Sequence, residues 1–285
     1  VYRVGDGCHS EWITQRKRFL PTLKGFFLCL NPFHRLILKL EQNMFESGQC
    51  RKFIAISEMV KEDILRHYHC PPENISVVYN GVDLQRFNPE NKDKYRKNIR
   101  KELDIPENST LIIFVGSGFE RKGLKYLLQA TKFLHSEDWR LLIMGKGKWH
   151  QYLQFAPENL RSRIIYKEPV PEIEKYYSAA DIFVLPSIYE PFGNANLEAL
   201  ATGLPVITTR HCGAANIIRH KLNGLIVEKP ESPKEIADNL NILFDPTLRQ
   251  SMSQNARSLA EKFSLETNSR EMLQTYQEII SAQDH

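Results

Sequence analysis

The sequence lacks the patterns that mark several classes of protein. Its five cysteines are odd in number and scattered, and no C-x-x-C pair occurs, so neither a zinc site nor a disulfide framework is predicted. No stretch reaches the ~18 consecutive apolar residues of a transmembrane helix. A net charge of +4 is too small to indicate nucleic acid, and we expect no such partner. Reduced thiols in a cytoplasmic protein are the preferred interpretation.

Two short motifs of metal and cofactor chemistry are also missing. No D-x-D occurs, so we predict no metal ion. The segment from Gly116 to Gly123 is not a dinucleotide fingerprint, because Arg121 stands where the third glycine of G-x-G-x-x-G would be, and it is not a P-loop. The chain begins at Val1 without an initiator methionine or a leading strand-helix repeat. We expect it to be the C-terminal part of a longer protein.

From residue 111 onwards the sequence alternates regularly between apolar strands and helices. Hydrophobic residues make up 42% of the chain and charged residues 25%, which is ordinary for a globular protein. Continuous apolar strands are expected where helices cover both faces of a parallel sheet. The predicted strands are 111–115, 140–144, 163–166, 182–185, 205–208 and 225–227. This order predicts an α/β fold with a doubly wound parallel sheet.

The first third of the chain predicts a smaller α/β part. Strands are expected at 52–56 and 75–79, on either side of a helix at 58–67. Ser57 suits the N-cap of that helix, because its hydroxyl can accept a hydrogen bond from the first turn. A short strand is also expected before Gly7.

The connection between the two parts contains a turn and a polar segment. Asn80 and Gly81 predict a turn, since both residues tolerate positive φ. Residues 88–98 are polar and charged, and they predict a linker that leads into a helix at 95–103. A further helix is expected at 214–219.

Residues 12–45 form an unusually apolar stretch that is rich in lysine and arginine. A basic amphipathic segment of this kind is typical of contact with an anionic membrane surface. A pair of core helices with solvated cations explains the pattern equally well. The sequence alone leaves both interpretations open.

Two carboxylates stand on the loop and helix that follow one of the predicted strands. Glu190 lies on the loop and Glu198 in the helix, eight positions later. Ligands of open α/β sheets bind where parallel strands end in such loops. Glu198 can accept hydrogen bonds from a diol such as ribose, and Glu190 can face a second polyol. The alternative is that both are solvated surface acids.

Two further loops are expected at the same edge of the sheet, after the strands at 111–115 and 140–144. Gly116 begins the first of them, where backbone amides can approach a phosphate. Arg121 and Lys122 would add the full charges that a diphosphate needs. The amides of 192–195 open the next helix and would point at an anion.

Several motifs together resemble the retaining GT-B glycosyltransferases of family 4. The resemblance covers residues from about Ile54 to the C-terminus. Its motifs are Glu190-x7-Glu198, Asn80-Gly81-Val82-Asp83, Arg121-Lys122-Gly123, Ala179-Ala180-Asp181, Pro186-Ser187 and Ala201-Thr202-Gly203-Leu204-Pro205-Val206. It implies a C-terminal Rossmann-like domain that binds a nucleotide-sugar, and the tail part of a truncated N-terminal Rossmann-like domain. The implied domains are 1–84, 85–264 and a helix at 265–285 that crosses back.

The resemblance also implies roles for individual residues. The donor-binding residues would be Gly116, Arg121, Lys122, Val170, Phe192, Gly193, Asn194, Ala195 and Glu198. Among these, Arg121 and Lys122 would hold the diphosphate, Glu198 the ribose, and Val170 would flank the base. Glu190 would lie beside the donor sugar, and residues 192–195 would contact sugar and phosphate through their backbone.

Further motifs are Val1-Tyr2…Asp6-x-Cys8 with the basic stretch after it, Gly116-Ser117-x-Phe119-x-Arg121-Lys122-Gly123 and Thr208-Thr209-x-x-Cys212-Gly213. Within that family they are similar to glucosyltransferases of the lipopolysaccharide core. This likeness implies transfer of glucose to a saccharide or lipid-linked acceptor such as a core heptose, with Asp6 on the acceptor side. It also favours membrane contact through 12–45, at the inner face of the inner membrane. The implied donor is a UDP-sugar, used without a cofactor. Many members carry a glutamate near Asn216, where this chain departs.

The sequence leaves both the mechanism and the class of function open. Retention by front-face transfer is implied by the family, but a covalent intermediate on Glu190 or Asp6 is not excluded by the sequence. The other class of function is a nucleotide-sugar-binding or membrane-docking module without turnover.

Overall fold

The computed structural model describes residues 1–20, 25, 28 and 30–281. Two parallel sheets organise the chain. The small sheet has the order β1-β2-β3, and the large sheet has the order β6-β5-β4-β7-β8-β9. The strands are β1 (Tyr2–Val4), β2 (Phe53–Ala55), β3 (Ile75–Val77), β4 (Thr110–Val115), β5 (Trp139–Met144), β6 (Ile164–Lys167), β7 (Ile182–Leu185), β8 (Val206–Thr209) and β9 (Gly224–Val227).

Helices cover these sheets and close the chain. They are α1 (His9–Arg18), α2 (Pro32–Glu46), α3 (Glu58–His67), α4 (Asn91–Glu102), α5 (Leu124–Ala130), α6 (His150–Leu153), α7 (Ile173–Ala179), α8 (Asn194–Ala201), α9 (Pro233–Leu243), α10 (Pro246–Ala260) and α11 (Leu265–Ser281). We call β1–β3 with α1–α3 the small-sheet unit, and β4–β9 with α4–α10 the large-sheet unit. No helix within the described ranges is long and apolar enough to cross a membrane.

The large sheet confirms the predicted doubly wound α/β class. Its order reverses between β4 and β7, which are hydrogen-bonded neighbours although two strands separate them in sequence. A crevice for ligands forms at such a switch point, outside the carboxyl ends of the strands. All four residues of β7 are buried, as its continuous apolar run predicts.

Two local predictions in the small-sheet unit and its connection have opposite outcomes. Ser57 caps α3 as expected, because its Oγ accepts a hydrogen bond from the Val60 amide at 3.2 Å. The reason given for the turn at Gly81 is wrong, since neither it nor Asn80 has positive φ. The glycine is needed for a close approach instead, as a Cβ there would lie 2.6 Å from the Ser264 carbonyl oxygen.

The predicted linker at 88–98 is also wrong, because α4 already begins at Asn91. No side chain caps this helix, so the usual start signal is missing. Tertiary bonds hold it instead. Arg96 reaches the Ala179 carbonyl at 2.8 Å and a carboxylate oxygen of Asp181 at 2.7 Å, and Arg100 also reaches that carboxylate. The helix predicted at 214–219 is only a 3-10 turn, Gly213–Asn216.

Several contacts join the two units. The start of α11 lies against the chain that follows β3, where the Leu265 amide donates to the Val82 carbonyl at 3.1 Å. On the opposite side, Arg16 of α1 forms an ion pair with Glu120 of the β4–α5 turn at 3.1 Å. A cleft lies between the units, and the predicted site residues surround it.

Candidate active site

Glu190 is the electrostatic centre of this region. It lies on the loop after β7 and only 8% of it is exposed. Its Oε2 lies 2.7 Å from Lys122 Nζ and 3.0 Å from an Arg121 guanidinium nitrogen. One carboxylate therefore faces the two cations that the sequence assigned to a diphosphate. The cluster keeps a net positive charge, which suits an anionic ligand.

Two glycines of the β4–α5 turn make room for this cluster. A Cβ on Gly116 would lie 2.3 Å from Lys122 Cδ, so the lysine stem passes directly over its backbone. Gly123 has a φ of +73°, and a Cβ there would lie 1.9 Å from the Pro186 carbonyl oxygen at the end of β7. These close approaches fix the cationic turn against the neighbouring strand.

The loops after β4 and β5 meet as the sequence predicts. The Lys146 amide donates to Ser117 Oγ at 2.9 Å. Gly145 approaches so closely that a Cβ on it would lie 2.3 Å from the Gly116 carbonyl oxygen. Because Gly123 contacts Pro186, the loops that follow β4, β5 and β7 all lie at one edge of the sheet.

Glu198 lies deeper, on α8, and is partly buried. Its Oε2 accepts a hydrogen bond from the Tyr177 hydroxyl at 2.9 Å. Burial raises the pKa of this carboxyl, and the bond from Tyr177 opposes that rise. The alternative that Glu190 and Glu198 are solvated surface acids is wrong, because neither side chain is exposed.

The loop between Glu190 and α8 is held mainly through its backbone. The Phe192 side chain is buried, and its carbonyl accepts from the Ala214 amide at 2.8 Å. Gly193 has a φ of +83°, and a Cβ there would lie 3.0 Å from Glu190 Cγ. Asn194 is exposed, and its Oδ1 accepts from Asn80 Nδ2 at 2.7 Å. Ala195 follows as the second residue of α8.

The cleft between the units has a volume of about 620 Å³ and brings together residues from both. Asp6 contributes from the loop after β1, and Arg121 and Glu190 contribute from the large-sheet unit. The α2 helix supplies an apolar wall that includes Phe33, Ile37, Leu40 and Met44. Asp6 and Glu190 therefore face the same space, although 184 positions separate them in the sequence (190 − 6).

Other predicted residues do not line this cleft. Gly116 and Lys122 lie beside it through their contacts with each other and with Glu190. Val170 lies on the loop after β6, partly buried against the core of the large-sheet unit. Among the described residues, no group of His, Cys, Asp or Glu is placed to hold a metal ion.

The sequence prediction missed three residues at the cleft and beneath it. Tyr189 and Trp12 line the cleft, and their rings stack with centroids 6.5 Å apart. Asp63 is buried on the inner face of α3 beside Val60 and Ile64. A carboxylate on the apolar face of an amphipathic helix is the signal that could have revealed it.

Two family models match most of the chain. The family model described as "Glycosyl transferases group 1" matches residues 95–259, and "Glycosyltransferase Family 4" matches residues 4–86. An uncharacterized glycosyltransferase of Methanocaldococcus jannaschii, MJ1607, is 31% identical over 78% of this chain and 59% of its own length. The lipopolysaccharide glucosyltransferase WaaG of Escherichia coli is 28% identical over 92% of this chain and 69% of its own length.

Solved structures agree on the architecture. The crystal structure of WaaG matches with a TM-score of 0.80 over 91% of this chain and 70% of that chain, at 28% identity. A crystal structure of Anabaena HepE in complex with UDP-glucose matches with a TM-score of 0.74, over 85% of this chain and 67% of that chain. Its 21% identity shows the fold alone. The neighbours are GT-B glycosyltransferases, which confirms the predicted fold. The chain spans 59% to 70% of the length of these relatives.

Proposed function

Because the chain belongs to the group 1 glycosyl transferases, we propose that it is part of an enzyme that transfers sugars. The whole protein is proposed to transfer glucose from a UDP-sugar to a saccharide or lipid-linked acceptor. A heptose of a lipopolysaccharide core is the acceptor that the likeness to WaaG favours. The proposed transfer retains the anomeric configuration and needs neither a metal ion nor a cofactor. The large-sheet unit is proposed to bind the donor, and the small-sheet unit to face the acceptor.

One observation carries the proposal. Arg121 lines the cleft together with Glu190 and Asp6, and Lys122 lies beside it through its ion pair with Glu190. A leaving diphosphate develops negative charge as the sugar bond breaks, and fixed cations stabilise that charge in the transition state. Glu190 keeps both cations in place before the donor binds. It is then proposed to turn towards the hydroxyls of the donor sugar.

The remaining donor contacts follow from the same placement. In the described part of the chain, Tyr177 donates to Glu198 Oε2, and no hydrogen bond to Oε1 is seen. We assign Oε1 to the ribose hydroxyls. The backbone amides at the start of α8 are assigned to the phosphate, and Val170 to one side of the base.

The identity of the donor is tested by thermal unfolding of the full-length protein with a panel of nucleotide-sugars. We expect UDP-glucose to raise Tm more than GDP- or ADP-glucose, because only a ligand that binds the folded state stabilises it. Transfer to a core acceptor is then assayed with and without EDTA, and the product anomer is identified. Equal stabilisation by all nucleotides, loss of transfer in EDTA, or an inverted product would each contradict a stated part of the proposal. Donor binding without transfer would favour the binding-module alternative.

We also propose that the protein is cytoplasmic and rests on an anionic membrane through residues 12–45. Part of this stretch, 21–24, 26, 27 and 29, lies outside the described residues. In α2, Phe33, Leu36 and Leu40 are all more than half exposed and recur at helical spacing; Phe33 and Leu40 also line the cleft, whereas Leu36 does not. Arg35 and Lys39 are exposed on the same helix. Apolar side chains beside cations are suited to the interface of an anionic bilayer.

Replacing Arg35 and Lys39 with glutamine is expected to lower the affinity for anionic vesicles, measured by co-sedimentation, by about 30-fold, since two cations near the surface contribute about 1 kcal/mol each. Neutral phosphatidylcholine vesicles should bind both proteins weakly. The control is Arg210→Gln with Lys229→Gln on the large-sheet unit, which removes the same charge elsewhere. Sedimentation that is unchanged, or lowered equally by the control, would count against docking through α2.

A further inference from the structure

The side chain immediately before Glu190 crosses from the large-sheet unit into the small-sheet unit. Only 2% of Tyr189 is exposed. Its phenol oxygen donates to Asp63 Oδ2 at 3.1 Å and accepts from the Cys8 amide at 3.0 Å. Both bonds are buried and join residues more than one hundred positions apart. The phenol therefore satisfies two polar groups of the other unit.

The Cys8 amide belongs to the loop that carries Asp6. In this loop Gly7 has a φ of +76°, and a Cβ there would lie 2.7 Å from the Tyr189 oxygen and 2.6 Å from Pro191 Cγ. The acceptor-side loop thus lies directly on the residues that flank Glu190. The Tyr189 side chain is therefore in close contact with the loop that carries Asp6.

Asp63 holds the phenol from the other side. This carboxyl is 2% exposed, and burial together with the nearby Glu11 charge raises its pKa to about 7. Arg66 opposes that rise and lies 2.9 Å from Asp63 Oδ1. A buried carboxyl without its hydrogen bonds is costly, so Tyr189 and Arg66 together stabilise it.

The start of α3 also holds the loop that contains Glu190. Ser57 Oγ donates to the Pro191 carbonyl at 2.7 Å while it accepts from Val60. The Met59 amide donates to Asn216 Oδ1 at 3.0 Å. The α3 helix and its N-cap residue thus contact both chain neighbours of Glu190: Asp63 contacts Tyr189, and Ser57 contacts Pro191.

We propose that Tyr189 is a positioning residue: its phenol, bound by Asp63 and the Cys8 amide, sets the separation between the Asp6 loop and Glu190 across the cleft. Its effect on turnover rests on the proposed function, whereas its effect on the loop does not. A displacement of about 1 Å in a reacting group lowers rates by about 100-fold. The phenol oxygen is therefore more important for turnover than for donor binding.

The test is Tyr189→Phe in the full-length protein, which keeps the ring and removes only the oxygen. We expect kcat to fall by about 10- to 100-fold, while KM for the nucleotide-sugar changes by less than about threefold because the phenol is not assigned to the donor. Amide hydrogen exchange in the peptide 5–9 should accelerate by about tenfold, since the Cys8 amide loses its acceptor. Asp63→Asn keeps an oxygen that can accept from the phenol and should retain slow exchange.

The matched control is Tyr176→Phe. Tyr176 is buried and its hydroxyl donates to Glu102 Oε1 at 3.2 Å; neither residue lines the cleft. It should alter neither kcat nor exchange at 5–9. If Tyr189→Phe changes only Tm, to the extent that Tyr176→Phe does, the phenol has a structural role alone and the proposal is overturned. A wild-type protein without transfer activity would instead count against the proposed function, and exchange at 5–9 would still decide whether Tyr189 holds the loop.

Discussion

Replacing Lys122 with alanine is expected to weaken the binding of UDP by about 100-fold. The Nζ of Lys122 lies 2.7 Å from Glu190 Oε2, and both side chains are about one-tenth exposed. If Lys122 pairs with the diphosphate as proposed, its removal breaks a buried charge pair between protein and ligand, which costs about 2 to 5 kcal/mol of binding free energy. Among the residues that the structure describes, Glu190 would then keep only Arg121 as a counter-ion, and it would repel the diphosphate. Calorimetric titration of the full-length protein with UDP measures the loss.

A second variant separates the two reasons for that loss. In a protein that already carries Glu190→Gln, Lys122→Ala can no longer leave an unpaired carboxylate. If Lys122 contacts the diphosphate, it should still cost about tenfold or more in this background, as a charge-assisted hydrogen bond would. If it only neutralises Glu190, the second substitution should have almost no effect.

The control for both experiments is Lys125→Ala, at the start of α5, three positions after Lys122. Lys125 packs against the rings of Tyr126 and Phe155, so its removal changes the net charge equally without touching Glu190. The affinity of this variant for UDP should stay within about twofold of the wild type, because half-buried Lys125 packs on those two rings and forms no ion pair with Glu190. Equal losses for Lys122→Ala and Lys125→Ala would refute the assignment of the diphosphate to Lys122.

The sequence predicted those parts of the fold that depend on neighbouring residues. The strand β7 was located from its apolar run, and the structure has it at the predicted residues, with the helix that carries Glu198 following the glycine loop as expected. The cap at Ser57 was predicted for the same reason. The start of α4 was not, since Arg96 and Arg100 hold that helix through contacts with residues about eighty positions away.

In the candidate site, too, local patterns were predictable and contacts between distant residues were not. The sequence placed Arg121, Lys122 and Glu190 at one edge of the sheet, because parallel strands end together there. It could not show that the cations pair with Glu190, since that depends on side-chain directions across two loops. Tyr189 and Asp63 were missed. Asp63 leaves a local signal, a carboxylate on the apolar face of α3, but its contact with Tyr189 joins two units and leaves none.

Gly123→Ala is expected to lower the free energy of unfolding by about 3 kcal/mol or more. Its φ of +73° would strain an alanine by about 1 to 2 kcal/mol. The added Cβ would also lie 1.9 Å from the Pro186 carbonyl oxygen, so backbone must move, and overpacking of this kind costs about 1 to 3 kcal/mol. At about 2 to 4 °C per kcal/mol, Tm should fall by roughly 8 °C.

Gly118→Ala is the matched control, because Gly118 lies in the same turn with a φ of +77°, but a Cβ added there would have no neighbouring atom within 4 Å. It should cost only the strain of about 1 to 2 kcal/mol. The excess for Gly123→Ala measures how tightly the cationic turn packs against the end of β7. That packing also places Lys122, so the Gly123 variant should lose UDP affinity even at temperatures where it is folded, while the Gly118 variant keeps it. Equal Tm values for the two variants would show that the turn does not pack against Pro186, and the geometry of the diphosphate site would have to be assigned to Glu190 alone.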